Sequence, residues 1–178
     1  MQIHEMSSMP VLLALMLLGY TGVLAMEILR RWRTRWEKCV HRIYLLGLVL
    51  DLSAYLAVTF FLRSPEPSAR FRMAPFYSLL HLLDENGLHL KILREMVLNV
   101  ILFVPLGVLL GEMFRKTEHP FGYVVLAGLG MTVLTEVFQY ILRLGLAEMD
   151  DVIHNMAGLL IGWAAYSAAQ SAAEALTK

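Results

Sequence analysis

The chain reads as an all-α, polytopic membrane helix bundle: five transmembrane helices with a short interfacial or re-entrant helix in the outer loop. Three observations lead there. Five apolar stretches, 10–28, 43–62, 95–114, 121–142 and 152–170, each approach the roughly 20 residues that a bilayer crossing needs. The hydrophobic fraction is 58% and the mean hydropathy +0.60, above the roughly 45–50% apolar content of soluble domains. Little sequence is left between the stretches, so a single integral membrane domain over 1–178 is expected.

The first stretch follows a leader, Met1 to Met9, that has no Lys or Arg. A signal peptide would begin with a basic region, so this stretch is expected to stay as a helix. The basic residues come after it: Arg30, Arg31, Arg33, Arg35, Lys38 and Arg42, with Trp32 and Trp36 between them. Such a short basic connection stays cytoplasmic, and its tryptophans suit an interfacial anchor on lipid headgroups. Arg115 and Lys116, in the third connection, fall on the same side after two further crossings. The N-terminus is therefore expected outside and the C-terminus in the cytoplasm, although the long second connection carries Arg63, Arg70, Arg72, Lys91 and Arg94. Within that outer connection, 75–83 is too short to cross and apolar enough to enter the headgroup region.

Composition excludes several classes. A net charge of zero argues against nucleic acid as the main partner. Cys39 is alone, so no internal disulfide or cysteine metal cluster can form. The histidines, His154 among them, lack ligand spacing, and no metal site is expected from them. Asp51 lies in the middle of the second stretch, where an intramembrane acid is either neutral, hydrogen-bonded or part of an ion pathway.

The polar residues inside the apolar stretches gather at one membrane face. The third stretch enters from outside, bringing Arg94 and Asn99. The fourth leaves toward the outside, ending in Glu136, Gln139 and Arg143. The fifth enters again behind Glu148, Asp150, Asp151 and Asn155. Alternation of direction alone puts these nine candidate ligand-binding residues on one side. Helical spacing sharpens the pattern, since Glu136, Gln139, Tyr140 and Arg143 form one stripe and Asp151, Asn155, Gly158 and Gly162 another. Gly107 with Gly111, and Gly158 with Gly162, are GxxxG pairs that permit close helix approach. Pro105 removes a backbone donor in mid-helix and should kink or loosen it.

The run Arg94-Glu-Met-Val-Leu-Asn99-Val-Ile-Leu-Phe103-Val-Pro105-Leu-Gly107 resembles the first signature of the VanZ-like membrane protein family. Glu136-Val-Phe-Gln139 followed by Asp150-Asp151-Val-Ile-His-Asn155-Met-Ala-Gly158 is similar to its second. Arg72-Met-Ala-Pro75-Phe76 is similar to a Pro-Phe element of the family's outer loop. The likeness covers about half the chain, Arg72 to Gly162. Where many members read Gly-Arg-Ser-Phe-Asp, this chain has Arg143-Leu-Gly145-Leu-Ala-Glu148, and His154 stands where members rarely carry an ionisable residue. The resemblance implies a bacterial plasma (inner) membrane protein. The family takes its name from a protein associated with resistance to the glycopeptide antibiotic teicoplanin, and the likeness carries over positions rather than a reaction.

Three functions fit these residues. The first is an outward-facing pocket for an anionic, lipid-linked cell-envelope precursor, such as a polyprenyl-phosphate-linked sugar or peptidoglycan precursor. Arg94 would hold a phosphate, and Asn99, Gln139 and Asn155 would read hydroxyls. The acidic excess is offset by protonation or by a divalent cation at the acidic cluster. The second is a noncatalytic scaffold or assembly protein, in which Arg94 pairs with Asp150 or Asp151 and Glu136 with Arg143 or Gln139 as an internal latch. The third is phosphotransfer or hydrolysis by paired carboxylates, Glu136 and Asp150, which ranks lowest because no nucleophile or metal motif accompanies them.

Overall fold

The computed structural model describes residues 37–61, 65, 67–68, 70–84 and 87–175. The apolar stretch 10–28 and most of the basic connection, with Trp32 and Trp36, lie outside them. Among the described residues four long helices form the bundle. Helix α1, Glu37–Leu56, runs on through a π-helical turn, Ala57–Phe61. The next connection carries strand β1 (Arg70–Arg72), the one-turn helix α2 (Tyr77–Leu80), and strands β2 (Leu83–Asp84) and β3 (Gly87–Leu88). Helix α3 spans Leu90–Phe114 and α4 Pro120–Leu142; strand β4 (Leu146–Glu148) leads into α5, Met149–Ala175.

Local chemistry sets these boundaries. Pro120 opens α4, where its fixed φ is preorganised and its missing N–H costs nothing. The helix ends at Arg143, which turns left-handed at φ 58, and Leu144 N–H closes back on the Gln139 carbonyl at 2.9 Å. A left-handed residue at this point is the usual helix stop, though glycine normally fills it. Gly145 follows at φ 120 and redirects the chain into β4. That strand pairs in parallel with β1, Arg70 opposite Leu146 and Arg72 opposite Glu148. Strands β2 and β3 form a second, antiparallel pair.

The centre of the bundle is α3 against α5. Gly107, Gly158 and Gly162 bring the two backbones into contact: a Cβ on Gly158 would strike the Val100 carbonyl, and one on Gly162 the Val104 carbonyl. Both GxxxG pairs therefore serve the same interface, since Gly111 faces the Tyr166 ring. Pairs deepen together along the two helices, from Asn99 with Asp151 to Gly111 with Tyr166, so α3 and α5 run parallel. Helix α4 runs the other way, as Gly128 meets Leu159 and Thr132 meets Asn155. Helix α1 also opposes α3, with Tyr44 beside Val108 and Tyr55 edge-on to Phe103 at 5.2 Å. Phe103, Val108, Val124 and Leu159 are fully buried in the core.

The structure bears on four expectations. The chain is mostly helical, but two short β pairs break the all-α description, because outer-loop segments bond to each other rather than to helices. Of the described helices, α3 and α4 are long and apolar enough to cross a membrane. Five crossings are not confirmed: α1 and α5 are as long as a span but are not among the helices that pass, and the stretch 10–28 lies outside the described residues. The interfacial helix expected over 75–83 is reduced to the single turn α2. Pro105 is buried and leaves α3 one continuous helix.

The face that α4 turns away from the bundle is apolar: Leu126, Leu134, Phe138 and Ile141 are all exposed. A contiguous patch of this kind is unusual on a soluble monomer, whereas hydrocarbon would cover it.

Candidate polar site at the loop end

At one end of the bundle two connections and the ends of three helices converge through side chains. Asn99 on α3 donates its amide to Asp151 Oδ1 on α5 at 2.6 Å. Glu136 on α4 accepts the Glu148 N–H at 2.9 Å, fixing the turn between α4 and α5. Arg72 on β1 pairs with the Glu148 carboxylate at 3.1 Å, opposite its own strand partner. The same guanidinium lies 4.0 Å over the Tyr77 ring, a cation–π contact. Ser78 N–H donates to Asp150 Oδ2 at 2.5 Å, tying α2 to the first turn of α5.

Deeper in the bundle, Asn155 donates to Thr132 Oγ1 at 2.8 Å and Tyr55 donates to Thr135 Oγ1 at 2.7 Å. These buried links join α5 and α1 to α4, and they act as interhelical polar contacts rather than open ligand groups. Gln139 is buried within the same end of α4. In α1, Asp51 is buried, while Ser53 turns to the Val49 carbonyl and Tyr55 to Thr135.

Charge at this end is unevenly met. Burial pushes the Glu148 carboxyl above its ordinary value, Arg72 pulls it back, and Asp150 and Glu95 push it further up. For Asp150, burial works to raise the pKa, but the Ser78 N–H and hydroxyl and the Phe76 N–H outweigh it, so the carboxyl is held below its ordinary value. Asp150 and Asp151 also sit in the first turn of α5, where carboxylates offset the positive end of the helix dipole. The start of α3 has no such acids. Arg94 there is exposed and makes no hydrogen bond or ion pair with the described residues.

Of the nine expected site residues, the structure draws Asn99, Glu136, Glu148, Asp150 and Asp151 into a collar of separate hydrogen bonds at one end of the bundle. Asn155 and Gln139 lie beneath it, and Arg94 stands at its margin. The internal latch expected for Arg94 is not observed: the guanidinium bonds neither Asp150 nor Asp151, because Ser78 and Asn99 take those carboxylates. Nor does Arg143 meet Glu136. Its left-handed backbone sends the exposed side chain to the Pro67 carbonyl at 3.4 Å. Among the described residues no three His, Cys, Asp or Glu side chains are grouped to hold a metal ion.

The sequence pointed to the acids but not to their donors. Arg72 and Ser78 lie about seventy residues from their partners, and no helical spacing connects them. A second polar cluster went unnoticed altogether. At the opposite end of α3, Glu112 is 2% exposed. It takes Arg115 Nε at 2.8 Å and the Tyr166 hydroxyl at 2.8 Å, and Gln170 donates to that hydroxyl at 2.6 Å. The spacing of Tyr166 and Gln170, one turn apart, was the available signal.

The VanZ/LLP1 family pattern matches residues 39–170. The chain is also similar to Protein VanZ of Enterococcus faecium, 34% identical over 75 residues, which is 41% of this chain and 44% of that protein. The match thus spans less than half of the relative's own length. No solved structure matches the chain. Family and apolar helices together suggest a membrane protein. With most of its length covered by the pattern, the chain belongs to the VanZ/LLP1 family.

Proposed function

We propose that this is a multi-pass bacterial plasma-membrane protein that binds the anionic head group of a lipid-linked cell-envelope precursor at its outward-facing polar end. In this reading five helices cross, the first over 10–28, the N-terminus lies outside and the C-terminus lies in the cytoplasm. The observation that carries it is the contrast between Arg94 and the acids beside it. The four carboxylates are engaged by donors of the same chain, which lowers their repulsion of an anion. Arg94 keeps an exposed guanidinium that has no partner among the described residues, at the start of a helix with no acid in its first turn to offset the dipole. A bidentate phosphate contact suits that group. Separate donors on each carboxylate also favour direct arginine recognition over a bridging divalent cation.

Native mass spectrometry of the gently purified protein tests this. A co-purifying polyprenyl-phosphate-linked species is expected with the wild type, and its loss with folded Arg94→Ala. Wild type and variant that carry the same lipids would refute the proposal. The VanZ relative makes teicoplanin susceptibility the phenotype to measure beside it.

The noncatalytic scaffold is the second reading, favoured by the way the carboxylates tie loops to helices. It expects Arg94→Ala to be indistinguishable from wild type, because Arg94 makes no tie to the other described residues. Paired-acid catalysis is the weakest reading, since Glu136 and Asp150 are both committed to backbone N–H groups.

A further inference from the structure

Beneath the Phe76–Ser78 loop, one oxygen and one nitrogen are buried with no hydrogen-bond partner among the described residues: Asp150 Oδ1 and His154 Nδ1. They lie one helical turn apart on α5, on the same face, and they interact electrostatically. Asp150 is only 1% exposed. Unmet buried polar atoms are costly, on the order of 1–3 kcal/mol each, and native chains retain few. Two side by side call for an occupant.

The loop above them is built around the same carboxylate. Phe76 adopts a left-handed backbone at φ 60, rare for an aromatic residue and a marker of functional strain. Ser78 N–H then holds Asp150 Oδ2, which leaves Oδ1 as the oxygen without a hydrogen-bond partner among the described residues. In the neutral tautomer that carries its proton on Nδ1, the His154 ring offers a donor one turn from the Asp150 acceptor. One face of the pair is then an acceptor and the other a donor. A hydroxyl, which donates once and accepts once, completes such a pair, whereas an ammonium has no acceptor to offer.

We propose that Asp150 Oδ1 and His154 Nδ1 form a buried contact site for one hydroxyl of a sugar or polyol head group. The hydroxyl donates to Asp150 and accepts from His154 Nδ1–H. This deepens the function proposed above and rests on it: Arg94 takes the phosphate, and the Asp150–His154 pair reads the sugar. The chain's own departure from the family at His154 would then set its preference among head groups.

The test uses the full-length chain in lipid nanodiscs and two probes, a polyprenyl phosphate and the same lipid bearing one hexose. Wild type is expected to bind the hexose-bearing probe about tenfold more tightly, the worth of one well-made hydrogen-bond pair. His154→Gln moves the amide toward the Nε2 position and should abolish that preference. His154→Asn keeps a donor near Nδ1 and should retain most of it. Two amides of similar polarity thus separate recognition from folding. Arg94→Ala should weaken both probes alike. If wild type binds neither probe, the functional reading falls and this inference with it. If wild type binds both equally, or His154→Gln keeps the preference, the hydroxyl site alone is overturned.

Discussion

The two ends of the α3–α5 pair solve the problem of polar groups in an apolar bundle in different ways. At the far end, Glu112, Arg115, Tyr166 and Gln170 come from two helices and close on one another. At the loop end, the donors come from β1, α2, α3 and the β4 turn, and two buried atoms still lack a partner among the described residues. The first arrangement needs nothing further to be stable. The second assembles groups from distant segments and leaves two buried polar atoms unmet, the kind of local departure from full satisfaction that is expected at functional or strained sites.

If the far end is purely structural, Glu112→Ala should be the most damaging single change, because it leaves Arg115 and Tyr166 facing an apolar interface. A loss of about 3 kcal/mol is expected, at the lower end for breaking a buried pair because Arg115 is partly exposed. Thermal melting in detergent measures it, and lipid retention by the folded fraction should be unchanged. Retention that falls in step with stability at moderate temperature would erase the distinction between the ends.

Gly158→Val comes next. The added side chain meets the Val100 carbonyl, so α3 and α5 must separate where both ends depend on them. About 2 kcal/mol is expected from overpacking, with melting and lipid retention both reduced. Asn99→Ala should cost about 1 kcal/mol by removing the amide bond to Asp151, with a larger effect on retention than on melting.

The smallest effect is the pH response of the loop end, which has two limbs of opposite sign. The Asp150 carboxyl is depressed in the folded chain, so its stabilisation is complete above the ordinary value of 3.8 and is lost as pH falls below it. The Glu148 carboxyl is raised, so its stabilisation is complete below the ordinary 4.5 and is lost as pH rises through the folded value. Melting followed against pH should therefore decline on both sides of a shallow maximum. Asp150→Asn should flatten the acid limb and Glu148→Gln the other.

How much of this was readable beforehand depended on distance along the chain. The long apolar runs gave α1, α3, α4 and α5 because burial period and length are local properties. Alternation of direction then placed Asn99, Glu136 and Asp151 together, and the glycine pairs marked a close interface. Partners separated by a loop left no trace in local spacing. Arg72 stands in a family-like element that carries no hint of its pairing with Glu148, and no local pattern marks Ser78. The β1–β4 pairing was missed for the same reason: three-residue strands with parallel partners lie far apart in sequence. Glu112 went unread because a single acid near a helix end resembles ordinary flanking charge.

That parallel pairing also constrains biogenesis. Arg70 to Arg72 leave the ribosome long before Leu146 to Glu148, and the two segments must meet on one side after α3 and α4 have been threaded between them. Until then the Phe76–Ser78 loop has neither its strand neighbour nor Asp150 to hold it. A chain halted before Leu146 would present an unpaired loop to quality-control proteases, so cleavage near Tyr77 would report whether insertion has been completed.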